Sequence, residues 1–305
     1  MAGRRSDCAA DRGPGGTIPR CPGHVLGGGG LRVKLWGTRG SIGSAGSETA
    51  KYGGDTSAVE VNGNEGRLIV LDAGSGMRAL GANVEAAEQV DVLITHLHMD
   101  HIQGLPFFAP LHNPDIRVDV WGPISTTQTL SERLNRYLSP PLFPLRVRDL
   151  SNVVFHDVPP GTFELDGIQV TADLVSHPGP TLGYRLEESG KVLTYLPDHE
   201  PALGMHNFPK NPEWTSGYGL ASGADLLIHD SQYTDEEYSE RIGWGHSSYT
   251  HLLAFAAMTG CRTLMTFHHD PDHSDQTLDE AHERLRATSQ GFEIVAGTHG
   301  AVIDI

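Results

Sequence analysis

The chain has 305 residues, 22 Lys+Arg against 38 Asp+Glu, and a formal net charge of −16 with its 17 histidines neutral. That balance disfavours a protein that grips long nucleic acid through a general basic surface, and 38% hydrophobic with 20% charged residues describes a globular chain, not a disordered one. No run of about 18 apolar residues occurs, so no membrane-spanning helix is expected.

In chain order, residues 1–30 are rich in Gly, Pro and Arg, lack periodicity and end in four glycines. They read as a flexible tail or an over-extended gene start, and their positive charge without an apolar stretch is not a secretory signal. One domain is expected over 31–305. Its strands are predicted at Leu31–Trp36, Ser57–Val61, Leu68–Leu71, Val92–Thr95 and Val118–Trp121. A helix is expected over Ser125–Leu138. Strands follow at Val153–His156, Ile168–Val175, Leu182–Leu186 and Val192–Leu196. The last third alternates: strand Asp225–His229, helix Ser247–Thr259, strand Thr263–Thr266, helix Leu278–Thr288, then strands Phe292–Ala296 and Ala301–Ile305. Two halves of similar plan imply an α/β sandwich with sheets inside and helices outside. Cys8, Cys21 and Cys261 follow no disulfide or zinc-ribbon spacing and fit ordinary thiols in a reducing cytoplasm.

The strongest chemical signal is Thr95-His96-Leu97-His98-Met99-Asp100-His101, delivered by the apolar run Val92-Leu93-Ile94 to a loop. Sites gather at the C-terminal ends of strands in α/β folds. Four metal-capable side chains in six residues suit Zn, and also Fe or Mn. His177, Asp198 and His268 each stand just after a predicted strand as well, with His269 as the alternative to His268. Asp72 ends Leu68–Leu71 and precedes Ala73-Gly74-Ser75-Gly76.

This ordered set resembles the metallo-β-lactamase-fold superfamily over roughly residues 32–305. The resemblance implies a four-layer αβ/βα sandwich and a hydrolase with two divalent metal ions, Zn first and Mn or Fe as alternatives. One ion would take His96, His98 and His177, the other Asp100, His101 and His268, and Asp198 would bridge them. Asp72 would hold the ligand loop. Two dications against two carboxylates leave a local positive hole that draws a small anion into a −16 protein. Attack by metal-bound hydroxide is implied, but the ligand loop does not separate phosphodiesters from lactones, thioesters, other esters or β-lactams.

Three stretches sharpen the class. His229-Asp230-Ser231 followed by Gly245-His246-Ser247 resembles the paired motifs of the tRNase Z branch. There the resemblance assigns Asp230 to hold His246 and His246 to protonate the leaving oxygen. His229 is left as core or supporting residue. Tyr184 and Arg185 stand where they either support strand packing or contact substrate. Arg39, in a glycine-rich loop, either reaches a phosphate or pairs with a carboxylate in a tight turn.

The tRNase Z pattern is incomplete. His177 and Asp198 stand only about 21 positions apart, without room for a long basic tRNA-binding arm. The expected substrate is therefore a small phosphodiester, nucleotide-like, such as a cyclic nucleotide. A tRNase Z-like ribonuclease, another ester hydrolase, an iron redox site and a scaffold without metal are the competing readings. The segment from His101 to about Pro160, with Leu105–Phe108 and Tyr137–Phe143, is an apolar lid, a homodimer contact by resemblance, or plain core and surface loop.

Overall fold

A computed structural model describes residues 29–305 apart from Glu65, Glu85, Ala86, Ser289 and Gln290. The expected tail therefore lies almost wholly outside the described residues. Order is already present at Gly30, whose N–H donates to Asn64 Oδ1 at 3.1 Å.

The first half supplies β1 (Arg32–Gly37), β2 (Ala58–Asn62), β3 (Leu68–Leu71), β4 (Gln89–Leu93), β5 (Arg117–Pro123) and β6 (Val153–Val158). The second half supplies β7 (Gly161–Leu165), β8 (Ile168–Leu174), β9 (Leu182–Glu188), β10 (Lys191–Leu196), β11 (Leu226–Asp230), β12 (Thr263–Phe267), β13 (Glu293–Ala296) and β14 (Val302–Asp304). They form two mixed sheets, ordered β14-β1-β2-β3-β4-β5-β6 and β13-β12-β11-β10-β9-β8-β7. Within them β3–β6 run parallel, and so do β10–β13. Their C-terminal ends therefore open onto one rim, where a site is expected.

The helices are α1 (Met77–Gly81), α2 (Met99–Ile102), α3 (Leu130–Leu134), α4 (Tyr218–Ala221), α5 (Asp235–Glu240), α6 (Tyr249–Thr259) and α7 (Asp275–Thr288). Three apolar clusters define four layers. Val33, Leu35, Ile69 and Leu71 of one sheet pack between the sheets against Leu186, Leu193, Ile228 and Phe267 of the other. Met77, Leu80, Leu105 and Leu130 cover the outer face of the first sheet, and Leu252, Phe255, Ala256 and Leu285 cover that of the second. This is the αβ/βα sandwich of the metallo-β-lactamase fold. Among the described residues no helix is long and apolar enough to cross a membrane.

Leu193, on the central strand β10, is fully buried in the inter-sheet layer. Leu193→Ala is expected to cost about 2–5 kcal/mol through lost transfer energy and the cavity it leaves. Urea unfolding of the variant and the parent measures the difference.

The segment 101–160 divides between core and surface. Leu105, Phe108 and Leu111 are buried against the first sheet, while Phe107 and Leu142 are exposed. Phe107 and Phe143 pack edge to face at 5.7 Å, and Tyr137 Oη donates to Gln103 O at 2.8 Å. An open cavity of about 510 Å³ lies between Leu97, Met99 and Ile102 on one side and Arg133, Tyr137 and Leu142 on the other.

Candidate metal centre

The site is assembled from residues that follow six strand ends. Asp72 follows β3, His96–His101 follow β4, and His177 follows β8. Asp198 follows β10, Asp230 ends β11, and His268 follows β12. Two of these take backbone conformations that side chains rarely adopt. Asp72 has φ 60° and His268 φ 56°, in the left-handed region. Such strain of about 1–3 kcal/mol per residue persists where the surroundings over-determine it. A Cβ on Gly40 would lie 2.3 Å from His268 Nδ1, so only glycine lets the first loop pass this ring.

All seven proposed metal-binding side chains converge. Donor atoms of His96, His98, His177 and Asp198 lie within 4.8 Å of one another, and so do those of Asp100, His101, Asp198 and His268. Asp198 belongs to both groups. Its Oδ2 is 3.7 Å from His96 Nε2 and from His177 Nε2, and its Oδ1 is 2.9 Å from His101 Nε2 and 3.2 Å from His268 Nε2. His269 is not among them: its Nε2 donates to Gly297 O at 2.9 Å and its ring packs on Tyr52.

The surrounding hydrogen bonds fix which nitrogen faces inward. His101 Nδ1 donates to Asp72 Oδ2 at 2.8 Å, His177 Nδ1 to Gly245 O at 2.9 Å, and His268 Nδ1 to Gln232 Oε1 at 2.9 Å. Each ring therefore turns Nε2 toward the centre, the arrangement by which outer partners orient ligating histidines. Asp72 also accepts from Thr95 N at 2.8 Å and from Tyr195 Oη at 2.9 Å, so one carboxylate ties the ligand loop to both sheets.

These donors fit a cation. His101 Nε2 and His268 Nε2 face each other at 3.3 Å although each ring already gives its Nδ1 proton to an acceptor. His96 Nε2 and Asp198 Oδ1 are buried and accept no hydrogen bond of sound geometry, despite the close nitrogens around Asp198. Lone pairs aimed at a shared point, not at each other's protons, are what divalent ions satisfy. Burial holds the imidazolium forms of His96 and His98 below their usual range and brings His177 down to about 4. Neutral rings with free lone pairs result. Asp198 and Asp100 resist protonation despite burial, because the surrounding histidines favour their carboxylates.

Beside this cluster His246 Nδ1 donates to Asp230 Oδ2 at 2.7 Å. Asp230 also accepts from the backbone N–H groups of His199, Gln232 and Ser247 at 3.2, 2.9 and 3.3 Å. The His246 ring lies between those of His177 and His268, at 5.0 and 5.1 Å. Burial works against its imidazolium, but Asp230, Asp198 and Asp100 outweigh it and raise the pKa above the usual value.

Four other expected residues lie elsewhere. Arg39 is fully buried; it donates to Gly53 O, Asp270 O and His273 O and stands 3.9 Å from Asp275 Oδ1. Its guanidinium is committed to loop carbonyls, as in the tight-turn alternative. Tyr184 Oη donates to Ile94 O, and Arg185 to the carbonyls of Leu220 and Ser222, so both support packing. His229 is a core residue whose Nε2 meets His199 Nδ1 at 2.9 Å. Sequence reasoning missed Gln232, Tyr195 and Glu200. Each meets the site through a partner far away in the sequence: Gln232 with His268, Tyr195 with Asp72, and Glu200 with Gly245.

Residues 67–269 match the family described as the beta-lactamase superfamily domain. Ribonuclease BN of Proteus mirabilis (strain HI4320) is 24% identical over 274 residues, covering 70% of this chain and 84% of the relative. Among solved structures, the metallo-beta-lactamase fold protein YhfI of Bacillus subtilis superposes with a TM-score of 0.66 at 16% identity, over 91% of this chain and all of that one. A diphosphatase described as belonging to the PhnP family gives 0.63 at 18% identity, over 90% of this chain and 97% of that one.

Proposed function

This chain belongs to the beta-lactamase superfamily, and from that premise we propose that it is a dinuclear metal-dependent phosphodiesterase acting on a small phosphodiester such as a cyclic nucleotide. The observation that carries the reading is the Asp230–His246 pair, 2.7 Å apart, placed beside two donor groups that share Asp198. One ion would be held by His96, His98, His177 and Asp198, the other by Asp100, His101, His268 and Asp198. Two such ions, Zn, Mn or Fe, supply Lewis acidity that acidifies water and stabilises charge on phosphoryl oxygens.

The chain's own residues do the rest. Asp230 accepts the hydrogen bond from His246 Nδ1 and keeps the ring in one orientation. His246 Nε2 then holds the proton that the leaving oxygen needs. Asp100 Oδ2 accepts from Ser41 N at 2.7 Å, which fixes that carboxylate toward His101 and His268. The names ribonuclease BN and diphosphatase carried by two of the similar proteins both involve phosphate esters or anhydrides. A ribonuclease reading is favoured by the first of them. Against it stand the short span between His177 and Asp198 and the net charge of −16.

The test is zinc- or manganese-loaded protein on bis-p-nitrophenyl phosphate, on 2′,3′- and 3′,5′-cyclic nucleotides and on a structured RNA with a 3′ trailer. Turnover of a small diester is expected. No metal-dependent turnover on any of them ends the proposal, and cleavage of the RNA alone moves it to the ribonuclease reading. The pH dependence has a definite sign. A raised His246 pKa keeps the imidazolium above the usual range near 6.5. On the alkaline side, activity on a poor leaving group should therefore fall as pH rises through that raised pKa, while the acid side is set by the water that the ions would acidify.

A further inference from the structure

Glu200 carries no assignment in the reaction proposed above. It lies two residues after Asp198, is 2% exposed, and is not part of either donor group. Its Oε1 accepts from Gly243 N at 2.8 Å and from Tyr238 Oη at 2.7 Å, and its Oε2 accepts from Gly245 N at 3.0 Å. Its own N–H donates to Ser176 O at 2.9 Å, next to His177.

Two of those three donors, Gly243 N and Gly245 N, come from the turn that ends at His246, and the third, Tyr238, comes from α5. Gly243 and Gly245 have φ 84° and 90°, so the turn needs glycine at both places. A Cβ on Gly245 would lie 2.3 Å from Pro178 Cδ and 2.5 Å from His177 Nδ1. The same Gly245 gives its N–H to Glu200 and its carbonyl to His177 Nδ1. One peptide segment thus stands between the buried carboxylate, a proposed metal ligand and the proposed proton donor.

We propose that Glu200 is a positioning residue that clamps the 243–246 turn, and through it sets both the inward nitrogen of His177 and the place of His246. The proposal rests on the ligand role of His177 and the acid role of His246 given above. A carboxylate suits the task because it accepts all three hydrogen bonds and donates none. A glutamine of the same shape would turn an NH₂ group toward at least one of those donors. The Gly245 carbonyl would then lose its fixed place against His177 Nδ1. Partners that orient ligating histidines in this way are worth about 10–100-fold in metal affinity or activity.

The test is Glu200→Gln in the full chain, read by chelator competition for zinc and by turnover on two diesters, one with a p-nitrophenolate and one with an alkoxide leaving group. Zinc affinity is expected to fall about 10–100-fold. The alkoxide substrate should slow more than the p-nitrophenyl one, because a displaced His246 matters only when the leaving oxygen needs a proton. A role in stability alone would lower Tm and leave both the zinc affinity of the folded fraction and the ratio of the two rates unchanged; that result overturns the proposal. If Glu200→Gln does not fold, Tyr238→Phe removes one of the three donors without touching either donor group and must give both shifts in the same direction, or the proposal fails. Wild-type protein that binds zinc but cleaves no diester ends the proposed reaction, and zinc affinity alone then decides for or against Glu200.

Discussion

Asp198→Ala is expected to abolish metal-dependent hydrolysis, by about 10³-fold or more, and to leave the fold in place. Asp198 is the one side chain with donor atoms in both groups. It also supplies half of the carboxylate charge that faces five imidazoles, the other half being Asp100. Without it neither group keeps four donors, and dications would be held against mostly neutral nitrogen. Several kcal/mol of transition-state stabilisation depend on those cations, and each 1.36 kcal/mol is a factor of ten in rate. The fold should survive because Oδ1 makes no hydrogen bond of sound geometry and the side chain joins no apolar cluster. Metal content by mass spectrometry, initial rates and circular dichroism check the three parts together. A variant that keeps two metal equivalents and a rate within tenfold of wild type removes Asp198 from the centre.

The ligand residues were legible because their chemistry is local. Four metal-capable residues in the stretch from His96 to His101, and single His or Asp residues just after predicted strands, leave a mark that needs no tertiary knowledge. The strands between the sheets were legible for a related reason: buried on both faces, they read as continuous apolar runs. β4 nevertheless begins at Gln89, three residues before the predicted Val92, because Asp91 is buried by hydrogen bonds from Trp121 and Arg67 and breaks the apolar run. β7 escaped notice. It is an edge strand with mostly exposed side chains, and only Leu165 is buried. The helix expected over Ser125–Leu138 shrinks to Leu130–Leu134, since the Thr129–Glu132 capping box starts it late. Glu200 and Gln232 were invisible as functional residues because their partners lie 36 to 45 positions away. Convergence of that kind is a property of the folded chain and leaves no spacing to read.

His246→Ala is expected to slow hydrolysis of a diester with an alkoxide leaving group by about 10²–10⁴-fold, the usual worth of a positioned general acid. Bis-p-nitrophenyl phosphate should lose far less, because p-nitrophenolate departs without a proton. Bound metal should be unchanged. His246 Nδ1 is committed to Asp230, and Asp230 in turn is engaged by three backbone N–H groups, which leaves that pair little freedom to bind an ion. The companion variant Asp230→Asn separates orientation from charge. It removes the carboxylate that favours the imidazolium, so the pKa of His246 falls and the loss of activity with rising pH should begin at lower pH. In His246→Ala that limb should vanish. If His246→Ala instead releases about one metal equivalent, the ring is a ligand, in keeping with the donor atoms of Asp230, His246 and His268 that also lie within 4.8 Å of one another. If the alkoxide substrate is unaffected, the proton reaches the leaving oxygen from another source, and the Asp230–His246 pair is reduced to holding the turn before α6.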